Sequence, residues 1–466
     1  MTVISLDIGT SKICAAAINA DSGSVEEIIE VSNSFVATEA KYEKVQDAVA
    51  TADIAERLCR KLARKYRPIL CIGITGQMHG ILYLNKNGNA VSPLYTWQDE
   101  SGLMQYKNGC TYADYLTRNS NYNMATGFGL TTCFFHTQTG VLPKDAAQLC
   151  TVQDYVAMRL TGRKKSLVHV TNAASIGFFN LEKGEFDKAV IGGFGIDVNL
   201  LPDVVGECAI LGETAEGIPV AVPIGDNQAS FLGSVDKVEE CVLANIGTGS
   251  QVSIAIDGIL KNQYNGLELR PFLYGKNLLT GSPLCGGRAY ALLESFFRDV
   301  VKLAGVKKAN SLYSRMNSAI EGINSIDNPL LVTTKFCGAR DNPGERGKIE
   351  NISFDNFTPL HLIAGFLDGI AQELYELVQP VFSVEGKGKK RLIVSGNGVR
   401  KNPVLAEILS RKFAMPVQIP VHREEAAYGA VLYAMTGVGR FRDIAEAQKI
   451  IKYRSNEDSI NVGGLK

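Results

Sequence analysis

The sequence predicts an α/β fold built as two duplicated halves. Three observations carry that expectation. The chain has 466 residues, the length of two ordinary domains rather than one. Stretches of strand alternation are interleaved with stretches of helical spacing. One device, a strand, a glycine turn and a returning strand, stands near the start and again past the middle.

Composition narrows the class. Hydrophobic residues make up 45% and charged residues 21%, so each half can build a core. Lys+Arg and Asp+Glu both number 48, which gives no argument for a nucleic-acid or membrane surface. No apolar run is long enough to span a bilayer, and Met1 runs into Asp7 without a signal-peptide core. The ten cysteines are scattered, with no C-x-x-C pair, so neither a zinc site nor a disulfide framework is indicated. They read mostly as small buried hydrophobes in a reducing compartment. The expectation is a soluble cytoplasmic protein.

In chain order, Ile4, Leu6 and Ile8 alternate with Val3, Ser5 and Asp7. Gly9-Thr10-Ser11-Lys12 turns, and Ile13 to Ile18 returns as a strand. This is no P-loop, because Gly-x-x-x-x-Gly-Lys-Ser/Thr is absent and a strand follows the turn. Asp47 to Tyr66 has helical spacing, with Ile54, Leu58 and Leu62 on one face. Ile69 to Gly80 is a buried strand ending in a glycine-flanked turn. Gln77, Met78 and His79 project at its C-terminal end, where α/β folds place ligands. His79 is either a turn histidine with a local hydrogen bond or part of a site. Trp97, the sole tryptophan, stands beside Gln98 and Asp99. It is either packed core or an aromatic that stacks on a sugar face. Residues 104–160 look mostly helical, broken at Ala125 to Gly129. Thr171 to Phe179 reads as a loop entering a strand.

The stretch 222–256 organises the chain. Asp226 sits in a turn after a short apolar run. Val242, Ala244 and Ile246 share one strand face, and Val252, Ile254 and Ile256 another, with Gly247-Thr248-Gly249-Ser250 between them. Glycines let successive N–H groups approach an anion, so this stretch offers a carboxylate and a phosphate cradle. Gly286-Gly287 precedes a helix, Ala289 to Leu303, whose expected buried face is Leu292, Phe296, Val300 and Leu303. The glycine pair either admits a phosphate or base or is a tight turn. Leu360 to Val378 is a further helix. Glu385 to Lys390 reads as a solvated hairpin end. Arg391 to Pro403 is strand, Gly396-Asn397-Gly398, then a helix capped by Asn402 with Pro403 in its first position. Glu424 to Met435 is a small-residue helix suited to close packing.

LDIGTS, GQMHG, WQD, GDNQAS, NIGTGS, VSGNG and EEAAYGAVLYA, in this order, resemble the FGGY carbohydrate kinases of the actin-like ATPase superfamily. The resemblance covers nearly the whole chain. Within the family, GQMHG, TWQD, ATGFG, QDYVAMRLTG and NAASIGFFN look most like the sedoheptulokinase group, with xylulokinases next.

That resemblance implies two actin-like, ribonuclease H-like domains, 1–233 and 234–466, with a nucleotide cleft between them. It implies transfer of the γ-phosphate of ATP to a ketose or polyol hydroxyl, with sedoheptulose the leading acceptor. Asp226 would be the catalytic base, and Asp7 would help hold Mg²⁺ through water. Gly9, Thr10, Ser11, Gly247, Thr248 and Gly249 would hold the phosphates. Gly396, Asn397 and Gly398 would lie against the adenosine, with Gly286 and Gly287 near the nucleotide. Gln77, Met78, His79, Trp97 and Asp99 would shape the sugar pocket, joined by Asn227 and Gln228. Many members carry Asp-x-Arg after the tryptophan; here Asp99-Glu100-Ser101 has no arginine. The implied partners are a small sugar and ATP, with no nucleic acid and no membrane, in a monomer or homodimer. A xylulokinase or other polyol kinase is the nearest alternative. Outside sugar kinases, the same superfamily holds conformational ATPases.

Overall fold

The computed structural model describes residues 1–259, 264–308, 310–323, 325–339, 342, 344–382 and 388–454. The chain forms two compact units. One comprises Met1–Asp236, Arg270–Asn277 and Glu424–Ile451; the other comprises Lys237–Leu269, Leu278–Arg423 and the residues from Lys452.

The first unit is built on a sheet whose order is Ile210–Glu213, Pro219–Ala221, Ile69–Gly76, Thr2–Ile8, Lys12–Asn19, Val25–Ser32. Thr2–Ile8 runs antiparallel to Lys12–Asn19 and parallel to Ile69–Gly76. Ile4, Leu6, Ile8, Ile13, Ile72 and Ile74 are fully buried on one face, and Val3, Ser5 and Cys71 on the other are buried too, because both faces of the sheet are covered. The helix Ala48–Lys65 lies against this core through Leu58 and Leu62, and Asp47 caps it by accepting the Ala50 N–H at 2.9 Å. Gly73 points to the opposite face, where a Cβ would meet the Ala430 carbonyl at 2.2 Å. The helix Glu425–Gly437 thus lies almost directly on the strand backbone. A separate aromatic cluster, with Tyr83, Phe134, Phe135, Phe178 and Phe179, fills the insertion between residues 81 and 200.

The second unit repeats the pattern. Its sheet order is Leu267–Pro271, Lys276–Gly281, Ser250–Asp257, Cys241–Ile246, Arg391–Ser395, Val417–Gln418. Cys241–Ile246 is antiparallel to Ser250–Asp257 and parallel to Arg391–Ser395, as Thr2–Ile8 is to its two neighbours. Val242, Ala244, Ile246, Val252 and Ile254 are fully buried beneath the helix Pro359–Phe382. The hairpin echo in the sequence therefore marks a repeated sheet.

Several local expectations differ. Thr171 lies in a short helix, Val170–Ser175, because the His169 ring accepts the Thr171 N–H at its start. Asn402 stands at the N-cap of Pro403–Phe413 but makes no side-chain capping bond; its side chain is buried instead. Leu292, Phe296, Val300 and Leu303 on the helix Gly286–Leu303 are exposed at 49, 52, 46 and 89%. Ala289, Tyr290 and Leu293 face the core in their place. Residues 385–387 of the expected hairpin end lie outside the described residues. Among the described residues, no helix is long and apolar enough to cross a membrane.

Candidate active site

In the first unit three parallel strands end side by side. Asp7 lies opposite Thr75 and Ile8 opposite Gly76; on the far side of that strand Gly225 also lies opposite Gly76. Asp226 follows as the first residue of the helix Asp226–Ser234, where the helix dipole favours an acid. The two carboxyl groups are therefore carried to one end of the sheet. Burial, then Asp226, then Glu424 push Asp7 up to about 7, against the pull of Lys12. Burial raises Asp226 to about 6, opposed by Arg270 and by the Asn227 N–H.

The end of strand Ile224–Gly225 is held by polar side chains. Thr75 donates to the Ile224 carbonyl at 2.8 Å, the Gly225 N–H donates to Thr171 Oγ1 at 3.0 Å, and Asn172 Nδ2 donates to the Pro223 carbonyl at 3.1 Å. A Cβ at Gly225 would meet Gln228 Oε1 at 2.7 Å and Met78 Sδ at 2.9 Å, so glycine lets Met78 close on the start of the helix.

The glycine turn after Thr2–Ile8 is tied to the residues expected in a sugar pocket. Trp97 Nε1 donates to Thr10 Oγ1 at 2.9 Å, and Thr10 Oγ1 donates to Gln77 Oε1 at 3.2 Å. Gln77 Nε2 reaches Gln46 Oε1 at 2.8 Å, and Gln46 Nε2 returns to the Thr10 carbonyl at 2.7 Å. Asn33 Nδ2 donates to the Gly9 carbonyl at 3.0 Å, and the Asn33 N–H donates to the Ser11 carbonyl at 2.9 Å. Trp97 remains 43% exposed, so its ring presents a face while its N–H is fixed. His79 takes a left-handed conformation, φ 74°. Its N–H donates to Ser175 Oγ at 3.1 Å, its Nδ1 lies 2.7 Å from the Ser175 carbonyl, and its ring stacks on Phe128 at 4.8 Å. Asp99 is buried, with Oδ2 taking the Lys44 N–H at 3.3 Å and Oδ1 the Ser101 N–H at 3.1 Å and its hydroxyl. It braces the Trp97 loop. Asn227 and Gln228 are buried, and Gln228 Nε2 donates to the Pro271 carbonyl at 3.0 Å.

In the second unit three glycine stretches converge. The turn Gly247-Thr248-Gly249 is closed by Gly247 N–H to the Gly249 carbonyl at 2.9 Å. Gly287 and Arg288 donate to the Gly247 and Thr248 carbonyls, each at 3.0 Å. A Cβ at Gly286 would meet the Gly249 carbonyl carbon at 2.4 Å, and one at Gly287 the Gly247 oxygen at 2.4 Å. Gly396, φ 89°, and Gly398 rest on the Ile246 carbonyl with Cβ clearances of 2.5 and 2.8 Å. Asn397 begins the short helix Asn397–Arg400. The glycines allow three backbone segments to meet without side chains between them.

Sequence reasoning missed several groups. Lys12 bonds Glu424 at 2.8 Å and also Glu30, beside Asp7. Arg270 lies in the field of Asp226. Gln46 and Asn33 secure the first turn. The KIC and EEA stretches were in view, but their pairing spans most of the chain. Arg270 follows an unremarkable strand pattern.

Residues 2–233 match the model of the N-terminal domain, and residues 334–438 that of the C-terminal domain, of the FGGY family of carbohydrate kinases. Sedoheptulokinase of Homo sapiens is 26% identical over 468 residues, covering 92% of this chain and 96% of that protein. The crystal structure of xylulose kinase from Rhodospirillum rubrum superposes with TM-score 0.83 at 20% identity, covering 98% of this chain and 93% of that one. Gluconate kinase from Lactobacillus acidophilus gives TM-score 0.82 at 16% identity, covering 98% and 94%. With two repeated α/β units and both family domains matched, the chain belongs to the FGGY family of carbohydrate kinases, enzymes that phosphorylate a small sugar with ATP.

Proposed function

We propose that this kinase phosphorylates a ketose, sedoheptulose to sedoheptulose 7-phosphate, with Asp226 as the base. The single observation behind the catalytic assignment is the delivery of Asp7 and Asp226 to one end of three parallel strands. The acceptor assignment rests on the likeness to sedoheptulokinase along 92% of the chain.

Asp226 orients the acceptor hydroxyl and takes its proton as the new O–P bond forms and the bond to the ADP oxygen breaks. A carboxyl raised to about 6 by burial is a better proton acceptor than an ordinary aspartate. Gln77, Met78, His79, Trp97, Asp99, Asn227 and Gln228 form the sugar pocket: Trp97 offers its ring face, and Asp99 acts by holding that loop. Gly9, Thr10 and Ser11 form one phosphate turn, Gly247, Thr248 and Gly249 the other, with backbone N–H groups as anion donors. Gly286, Gly287, Gly396, Asn397 and Gly398 serve the nucleotide. Residues 1–233 thus carry sugar binding and 234–466 the adenosine site. Asp7 is a hard carboxylate whose proton affinity is raised by burial and by Asp226, which suits Mg²⁺, and Asp7 would hold it through water. When bound, the ion spreads the negative charge of the β- and γ-phosphates. The protein works in the cytoplasm as a monomer or homodimer.

A coupled ADP-release assay over a ketose panel, with sedoheptulose and xylulose side by side, tests the acceptor. The expected kcat/KM is highest for sedoheptulose; a higher value for xylulose reassigns it. Strong sugar-independent turnover would instead indicate a conformational ATPase. Asp226→Asn should lower kcat by roughly 10²-fold or more while ADP binding persists. Near-normal turnover would remove Asp226 from the role.

A further inference from the structure

We propose that Cys285 and Cys337 are a modification site, a thiol pair that a peroxide converts to a reversible disulfide which slackens the adjoining glycine turn. Cys337 Sγ lies 3.7 Å from Cys285 Sγ. Of the ten cysteines, Cys337 is the exposed one, whereas Cys285 is buried. The exposed thiol thus meets the oxidant and the buried thiol resolves it.

Both sulfurs sit on anchored backbone. Cys285 is the N-cap of the helix Gly286–Leu303, and its carbonyl accepts the Ala289 N–H at 2.9 Å. On the other side, Gly338 N–H closes a turn on the Lys335 carbonyl at 3.0 Å, and Phe336 stacks on Phe366 at 5.5 Å. Thr334 Oγ1 donates to Glu373 at 2.7 Å, which fixes that turn to the helix Pro359–Phe382. An S–S bond is about 2.05 Å long and the sulfurs stand 3.7 Å apart, so closure turns both side chains about their Cα–Cβ bonds, and any remaining gap is met by the backbones that carry them. Gly286 has no slack: its Cα hydrogens already abut the Gly249 backbone, with a Cβ clearance of 2.4 Å. Movement of Cys285 therefore transmits to Gly247–Gly249.

The chemistry balances. The Cys337 thiolate attacks a peroxide oxygen; the S–O bond forms, the O–O bond breaks, and hydroxide leaves as water with the thiol proton. Cys285 sulfur then attacks the sulfenic sulfur; S–S forms, S–O breaks, and a second water leaves. Two thiols lose two electrons to one peroxide. Burial pushes the Cys285 thiol up to about 11, which fits its role as the second reactant. In a reducing compartment such a bond is transient and is reversed by a dithiol.

The effect on the enzyme rests on the nucleotide reading of Gly247–Gly249 and Gly286–Gly287; the bond itself does not. The full-length reduced protein is treated with hydrogen peroxide, digested without reductant and mapped by mass spectrometry, and ADP is titrated before and after. A peptide linking Cys285 to Cys337 is expected, with ADP affinity roughly tenfold weaker and restored by dithiothreitol. Cys337→Ser should match the parent when reduced, form no linked peptide, and keep its ADP affinity in peroxide. Finding both thiols free, or Cys337 joined only to another cysteine or another molecule, overturns the site. A linked peptide with unchanged ADP affinity overturns the coupling. Reduced Gly287→Val separates the two ideas: if it binds ADP normally, the nucleotide reading fails, and the mapping alone still decides whether the bond forms.

Discussion

Asp154 takes a carboxyl group into the core, where Thr151 Oγ1 donates to it at 2.5 Å and its Oδ1 has no partner among the described residues. Burial raises it from the ordinary carboxylate range to about 8, so the folded chain keeps it protonated where the unfolded chain ionises it. The folded state then binds more protons, and stability falls as pH rises from about 4 to about 8. Burial moves His136 and His169 the other way, to about 4 and about 3. These rings stay neutral when folded, so their contribution is complete above about 6.5 and is lost as pH falls below it. Asp154→Asn should therefore gain stability over the parent with rising pH, by about 1.4 kcal/mol per pH unit at the steepest. Urea midpoints at pH 5 and pH 8 measure this; a gap that fails to widen would refute the buried acid. At this scale strand alternation ending in a glycine turn told where Asp7 emerges, whereas Asp226 read as a turn residue after a short apolar run and instead begins the helix Asp226–Ser234. The sequence told little about Lys12 and Glu424, which bond across 412 positions. Nothing local to either marks the other. Asp99 was visible as a polar neighbour of Trp97, but its bonds to the Lys44 and Ser101 amides arise only from the fold.

The helices Asp226–Ser234 and Glu425–Gly437 meet backbone to backbone. A Cβ at Gly429 would stand 1.8 Å from the Ala229 carbonyl oxygen, and one at Gly233 would stand 2.0 Å from that of Glu425. The obstacles are main chain and cannot swing aside, so Gly429→Ala must push the helix that begins at Asp226. It should cost about 1–3 kcal/mol and lower kcat as well. Gly193→Ala, which faces open space at the end of a helix, should leave stability unchanged or raise it by about 0.5–1 kcal/mol. Thermal melts and initial rates on the pair distinguish crowding from helix propensity; equal effects would refute the close contact. The small residues of EEAAYGAVLYA announced close packing in the sequence. The helix Gly286–Leu303 was misread because it carries two overlapping apolar stripes. Ala289, Leu293 and Phe297 lie only one position round from Leu292, Phe296, Val300 and Leu303. Periodicity fixes the presence of such stripes, and packing under Pro359–Phe382 selects the first.

The chain changes unit after Asp236, Leu269, Asn277, Arg423 and Ile451. The repeated hairpin made two halves legible, since each hairpin demands a sheet of its own. The return of residues 424–451 to the first unit was not legible, because a helix of small residues does not name the surface it will cover. This division gives the proposed function a test that does not depend on turnover. Among the described residues, the proposed nucleotide-binding turns at 247–249, 286–287 and 396–398 belong to one unit, and the proposed sugar and catalytic residues Gln77, His79, Trp97 and Asp226 to the other. A ligand that binds only the folded state slows exchange of the amides it orders. ADP should therefore slow hydrogen exchange at residues 244–250, 286–289 and 395–399, by roughly tenfold at saturation. Sedoheptulose should slow it at residues 77–79, 96–99 and 225–228. Ser11 and its neighbours should respond to nucleotide, and through the Trp97–Thr10–Gln77 hydrogen bonds to sugar as well. Protection by sugar confined to the glycine turns of the second unit would contradict the proposed pocket. Protection by ADP that spared 286–289 would remove that glycine pair from the nucleotide site.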